Sequence, residues 1–294
     1  MDLLFSQLFA GLSLGSVLLL AALGLALTFG QMGVINMAHG EFMMAGAYTA
    51  YVVQRSIADA GVSLLVSLVV GFLVGGLMGL ILEVTLISRM YRRPLDTLLV
   101  TWGVALVLQQ LARDIFGAPN VGVAAPTWLS GPVTVLGLSM PLSRLFILAL
   151  AAVCITGLAL LLKVTSLGRR IRAVVHNRDL AETSGISTRQ TDRLTFFIGS
   201  GLAGVAGVAL TLLGQVGPTL GQAYIVDAFL VVVAGGIGQI KGTVIAALSL
   251  GIMQSFFQYS TTASVAKVLI FVAVIAFLQV RPQGLVNVRT RSLA

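Results

Sequence analysis

The chain has 294 residues, of which 57% are hydrophobic and only 10% charged, and its mean hydropathy is +1.02. Soluble domains carry about 25% charged residues, so this composition excludes a soluble globular protein and predicts an integral membrane protein. A net charge of +8 raises nucleic acid as a partner, but the positions of the charges, taken up below, read as membrane topology instead.

Nine apolar segments can be drawn in chain order: 5–29, 40–53, 62–87, 97–116, 142–162, 194–213, 224–235, 243–259 and 263–280. Only helices and closed barrels satisfy their own backbone in lipid, so all nine are expected to be helical. A hydrocarbon core of ~30 Å takes about 20 helical residues. Seven segments reach or approach that length; 40–53 and 224–235 do not. The predicted fold is therefore all-α and polytopic, with seven full spans and two half-spanning helices. The N-terminus carries Asp2 and no Lys or Arg before Arg55, which is unlike a signal peptide, and it reads as the first span. Cys154 is the lone cysteine, lies inside an apolar run and excludes an intrachain disulfide.

Between the first two segments, Gly30, Gln31, Gly33, Asn36, His39, Gly40 and Glu41 fall within a dozen residues. A helix broken among polar side chains at membrane depth survives only inside protein or beside a wet cavity, and so points to a transport path. The motif echoes later: Phe29-Gly30-Gln31-Met32-Gly33 resembles Leu213-Gly214-Gln215-Val216-Gly217, each closing a long apolar segment and preceding a short one. The chain then divides into a first half (5–116), a connector helix (142–162), a cytoplasmic loop (163–193), a second half (194–280) and a basic tail (281–294). An offset of five segments makes the halves opposite in orientation, an inverted repeat.

Basic residues set the sidedness. Arg89, Arg92 and Arg93 follow the third segment; Lys163, Arg169, Arg170, Arg172, Arg178, Arg189 and Arg193 fill the loop after the fifth; Arg281, Arg289 and Arg291 form the tail. The positive-inside rule places all of these in the cytoplasm, the N-terminus outside, and the uncharged, proline-rich loop 117–141 with Trp128 outside. Glu83 and Lys267, near segment ends, read as snorkelling or paired groups.

Ionisable groups within spans usually face a cavity or a partner. Gln31, Asn36, His39 and Glu41 in one half and Gln215, Gln222 and Asp227 in the other are the expected lining of the pathway. The bland alternative is that His39 and Glu41 cap the short helix, where carboxylates are favoured. A metal site is poorly supported by two histidines and no H-E-x-x-H pair, and no G-x-S-x-G marks a hydrolase. A stand-alone carrier would use Glu41 or Asp227 as a proton site. The basic loop mixes apolar and charged residues at helical spacing and then stops a short helix at Gly185; it reads either as an interfacial helix or as a docking element. No G-x-x-x-x-G-K-[ST] is present, so any ATP drive must come from another subunit.

Gly33-Val-Ile-Asn36-Met-Ala-His39-Gly40-Glu41, Gly235-Gly236-Ile-Gly238 and Arg281-Pro282-Gln283-Gly284 resemble the permease subunits of branched-chain amino acid-type ABC importers, across nearly the whole chain. Arg93-Pro94-Leu95-Asp96, Thr101-Trp102-Gly103, Gln109-Gln110, Trp128-Leu129-Ser130-Gly131 and Leu220-Gly221-Gln222-Ala223-Tyr224-Ile225-Val226-Asp227 are similar to the urea branch of that family. The resemblance implies a non-enzymatic subunit of the bacterial inner membrane forming half a pathway for a small polar solute. Urea is the first expectation and branched-chain amino acids the alternative. It implies a second homologous permease, two ATPases that bind the ATP, and an external solute-binding protein as partners. It also implies that Asn177, Arg178, Asp179, Glu182, Gly185 and Ile186 form the helix that docks on an ATPase, so that disruptive changes at Arg178 or Glu182 uncouple hydrolysis from uptake.

Overall fold

The structure, a computed structural model, describes residues 2–91, 93–135 and 138–286, without the side chains of 2, 3, 31, 94, 134, 135, 138 and 139. Arg92, Arg289 and Arg291 of the basic clusters therefore lie outside the described residues, as does the side chain of Gln31. The helices are α1 (Asp2–Met32), α2 (His39–Ser56), α3 (Ala60–Thr85), α4 (Pro94–Phe116), α5 (Leu142–Val164), α6 (Ser166–His176), α7 (Arg178–Thr183), α8 (Thr188–Leu210), α9 (Leu220–Gly235), α10 (Ile240–Ser260) and α11 (Ala263–Val280). Seven of these, α1, α3, α4, α5, α8, α10 and α11, are long and apolar enough to cross a membrane. The chain is thus an all-α polytopic membrane protein. The short second helix is longer than its apolar run, 18 residues, because Gln54, Arg55 and Ser56 continue it past the apolar stretch; α9 has 16.

Local chemistry sets the boundaries. Asp59 accepts from the Val62 amide and caps α3, Pro94 opens α4, and Gly117 at φ +88° ends it. Ser187 caps α8 by accepting from Gln190. The expected external loop contains an unforeseen antiparallel pair, β1 (Pro132–Val135) and β2 (Leu138–Pro141). Four residues a strand are too few for an alternating pattern to stand out from the neighbouring apolar runs.

Without a hydrophobic drive between helices in lipid, close backbone approach at small residues does the packing. α1 runs antiparallel to α10, with Gly11 against Ile252, Gly15 against Leu248 and Gly251, and Gly30 against Gly238. α3 runs antiparallel to α8 in the same manner, with Gly71 against Gly204 and Val208, and Gly79 against Ser200. α2 lies in the angle between α3 and α8, and α9 in the angle between α10 and α1. Exchanging α1–α4 for α8–α11 turns each arrangement into the other. α1 and α8 are the most enclosed helices, whereas α4, α5 and α11 stand at the rim with apolar faces such as Leu95, Val107, Val153 and Val268 exposed.

The two short helices meet end to end. Gly40 and Gly221, each the second residue of its helix, touch through their backbones; a Cβ on Gly40 would lie 2.5 Å from the Gly221 carbonyl oxygen. From this contact α2 runs to the external loop, where Gln54 exchanges two hydrogen bonds with Ala124 (2.9 and 2.8 Å). α9 runs the other way and ends beside Gly242 at the start of α10. Its C-terminal carbonyls are met by the chain after α11: Leu285 donates to Ala234 (2.9 Å) and Val286 to Gly235 (3.2 Å). Gly284, at φ +80°, makes this possible, since a Cβ there would lie 2.6 Å from the Gly236 nitrogen.

Candidate functional site

The first break begins where Gly33, at φ +64°, turns the chain out of α1. Residues 33–38 then climb back along α1 until His39 Nε2 donates to the Ala21 carbonyl at 3.2 Å, roughly three helical turns from the end of α1. α4 holds this segment: the Met37 amide donates to Thr101 Oγ1 (3.1 Å), whose hydroxyl is anchored on the Thr97 carbonyl (2.8 Å). Asn36 Oδ1 accepts from the Ala38 amide (3.1 Å) and shapes the entry into α2. Gln109 Nε2 of α4 donates to Glu41 Oε1 at 2.9 Å.

Asn36, His39 and Glu41 are all fully buried, and among the described residues Asn36 Nδ2, His39 Nδ1 and Glu41 Oε2 have no partner. The apparent cluster is not one site, because His39 points to α1 and Glu41, two residues on, points to α4. Nor do these side chains cap α2 as the bland alternative expects; Ala38 stands at the N-cap and makes no side-chain bond. Glu41 sits in the first turn, where a carboxylate suits the helix dipole without a cap bond.

The second break, residues 211–219, is different. Val216 pairs with Val121 of the external loop through two 2.8 Å bonds, while Gln215 is exposed. A cavity of about 230 Å³ opens there, lined by Asn120, Gln215, Thr219 and Tyr224 among apolar neighbours. Gln222 is exposed one residue beyond the touching glycines, and Asp227 forms an ion pair with Lys267 of α11 (3.2 Å). Among the described residues no hydrogen bond or ion pair joins the expected pathway side chains of one half to those of the other, and Lys267 is a paired group. Among the described residues no group of three or more His, Cys, Asp or Glu gathers as metal ligands would.

At the basic end, α6 and α7 form a small platform. α6 turns Gly168, Ile171 and Val174 inward and leaves Arg169, Arg170 and Arg172 exposed. Asn177 accepts from the Leu180 amide (2.9 Å) to start α7. Gly185, at φ +80°, stops it, with Ile186 donating to Ala181 (3.0 Å) in the six-to-one closure that such glycines allow. Asp179, Leu180 and Glu182 face outward, although Glu182 also accepts the Thr188 hydroxyl.

Arg178 faces inward. Its guanidinium reaches Asp192 Oδ2 of α8 (2.5 Å) and stacks over the Tyr91 ring, 5.0 Å from the centroid. The Tyr91 hydroxyl donates to Glu83 Oε1 of α3 (2.5 Å), and Arg193 Nε lies 3.5 Å from Glu83 Oε2. Burial, reinforced by the Glu83 hydrogen bond, pushes the Tyr91 hydroxyl above its ordinary pKa, so it remains a donor. Glu83 is 0% exposed and pairs here, not with Arg89, which turns back to the Thr85 carbonyl. Sequence reasoning missed Tyr91 and Asp192. The available signal was a carboxylate one residue inside the polar start of an otherwise apolar helix, next to Arg193.

Reciprocally packed spans, two short helices that meet at their N-terminal ends and a capped helix tied to the spans at the basic end make up a polytopic membrane protein of the permease class. The family described as Branched-chain amino acid transport system / permease component matches residues 7–278, and the chain belongs to it. It is 28% identical over 291 residues to the high-affinity branched-chain amino acid transport system permease protein LivH of Salmonella typhimurium, covering 96% of this chain and 94% of that one. The corresponding protein BraD of Pseudomonas aeruginosa is 29% identical over 291 residues, covering 96% and 95%. A probable branched-chain amino acid transport permease protein LivH of Methanocaldococcus jannaschii is 28% identical over 293 residues, covering 95% and 91%. These are transport permeases and not enzymes. No solved structure matches the chain.

Proposed function

We propose that this chain is one of two membrane subunits of an ATP-driven importer in the bacterial inner membrane, and that its solute is a branched-chain amino acid. The end-to-end likeness to permeases named for that transport carries the reading. Urea, the first expectation from the sequence, is named by none of these relatives; it rests on the motif resemblance at 93–103 and 220–227 and becomes the competing outcome of the test. The partners are a second homologous permease, two cytoplasmic ATPases that bind the ATP, and an external solute-binding protein.

The halves 5–116 and 194–280, joined by 142–162, act as an inverted repeat that rocks about the Gly40–Gly221 contact. Gln215 and Gln222 meet the solute from the external side, while Gln31, Asn36, His39, Glu41 and Asp227 join the pathway when the first break opens. Residues 163–193 present α7, with Asn177, Arg178, Asp179, Glu182, Gly185 and Ile186, to an ATPase; residues 281–294 belong to the cytoplasmic face. The intact complex, reconstituted in vesicles, should take up radiolabelled leucine only with ATP inside the ATPase compartment. Uptake of urea in place of leucine would overturn the solute, and uptake that survives ATP removal but stops when the proton gradient is dissipated would overturn the importer.

A further inference from the structure

The groups around Tyr91 form a joint that the function so far leaves without a task. We propose that Tyr91 and Glu83 are positioning residues that make α7, α3 and the segment leading into α4 move as one body, so that a push on α7 reaches the spans. This rests on α7 being the element that meets the ATPase.

The geometry is specific. Arg178 is the first residue of α7, yet its side chain turns away from the outward face formed by Asp179, Leu180 and Glu182. It is held on one side by Asp192 of α8 and on the other by the face of Tyr91. Tyr91 lies between the 3-10 turn Ile87–Arg89 and α4, and its hydroxyl passes the contact to Glu83, buried within α3. Arg193 closes the ring from α8. Four segments are thus linked through polar side chains, Arg178 to Asp192, Arg178 over Tyr91, Tyr91 to Glu83 and Glu83 beside Arg193, and Asp192 and Glu83 are both 0% exposed, so water reaches neither carboxylate. A helix held only by apolar contacts slides; one held by a stacked guanidinium and a bidirectional carboxylate does not turn without turning its partners. α7 itself has six residues and Ala181 as its one buried member, so its own packing cannot hold it.

The test uses the assembled transporter with Cys154→Ala, carrying spin labels at Val84 of α3 and Thr183 of α7, both exposed. Without Tyr91→Phe or Glu83→Gln, the distance between labels should be the same with and without ATP; with either substitution it should change on ATP addition. In unlabelled complexes, the same substitutions should leave ATP hydrolysis in place while uptake per ATP falls about ten-fold, a coupling loss of about 1.4 kcal/mol. A label distance that changes with ATP in the parent, or stays fixed in both variants, would overturn the joint. So would uptake and hydrolysis falling in parallel, the mark of a purely structural role. Leu180→Glu on the outward face tests the underlying reading separately: it should release the ATPase, and retained association would defeat the docking role while leaving the label distances interpretable.

Discussion

The two helix breaks share a five-residue echo yet live in opposite surroundings. The first, 33–38, is sealed: Asn36 and Ala38 are buried, Thr101 pins Met37, and Gln109 holds Glu41. The second, 211–219, opens on a cavity lined by Asn120, Gln215 and Thr219 among apolar residues, and the Val121–Val216 pair ties it to the loop 117–141. The echo does not stop the two helices alike, since α1 runs through it to Met32 whereas α8 ends at Leu210 before it begins; the partners that the rest of the chain supplies decide the surroundings of each break. The asymmetry describes one conformation in which the second break is accessible and the polar side chains of the first are enclosed.

The comparison can be broken most severely at the point the breaks share. Gly40→Ala puts a methyl against the Gly221 carbonyl and should lower stability by about 3 kcal/mol, the upper end of ordinary overpacking, read as loss of the folded fraction in a detergent thermal melt. Gln109→Leu removes the donor to a buried carboxylate in the sealed break and should destabilise by about 1–2 kcal/mol in the same assay. Thr101→Val should remove the anchor of Met37 at a smaller loss, about 1 kcal/mol, and raise amide exchange over 33–38. Gln215→Ala, in the open break, should leave stability within about 0.5 kcal/mol and alter uptake alone. Equal losses for Gln109→Leu and Gln215→Ala would erase the distinction between the two sites.

The seven spans were legible because span length is a local property of the apolar run. The Gly185 stop was legible for the same reason, since it acts within a few residues of itself. The meeting of α2 and α9 was not, as it joins Gly40 to Gly221 across most of the chain and no local pattern encodes the register. Sequence gathered Asn36, His39, Glu41, Gln215, Gln222 and Asp227 as one lining; the fold disperses them, because two residues of helical advance send His39 and Glu41 to different neighbours and Lys267 claims Asp227. Glu83 was read as a snorkelling or paired group; it is paired, but its partners, Tyr91 and Arg193, lie one before α4 and the other on α8, where no local pattern points to them.

The bonds from Leu285 and Val286 to the last carbonyls of α9 set an order of assembly. During synthesis α9 leaves the ribosome well before residues 285 and 286, so its last carbonyls must wait until α10, α11 and those residues have been made. A nascent chain arrested after α11 would leave those carbonyls of α9 unmet, a form that quality-control proteases can recognise and remove.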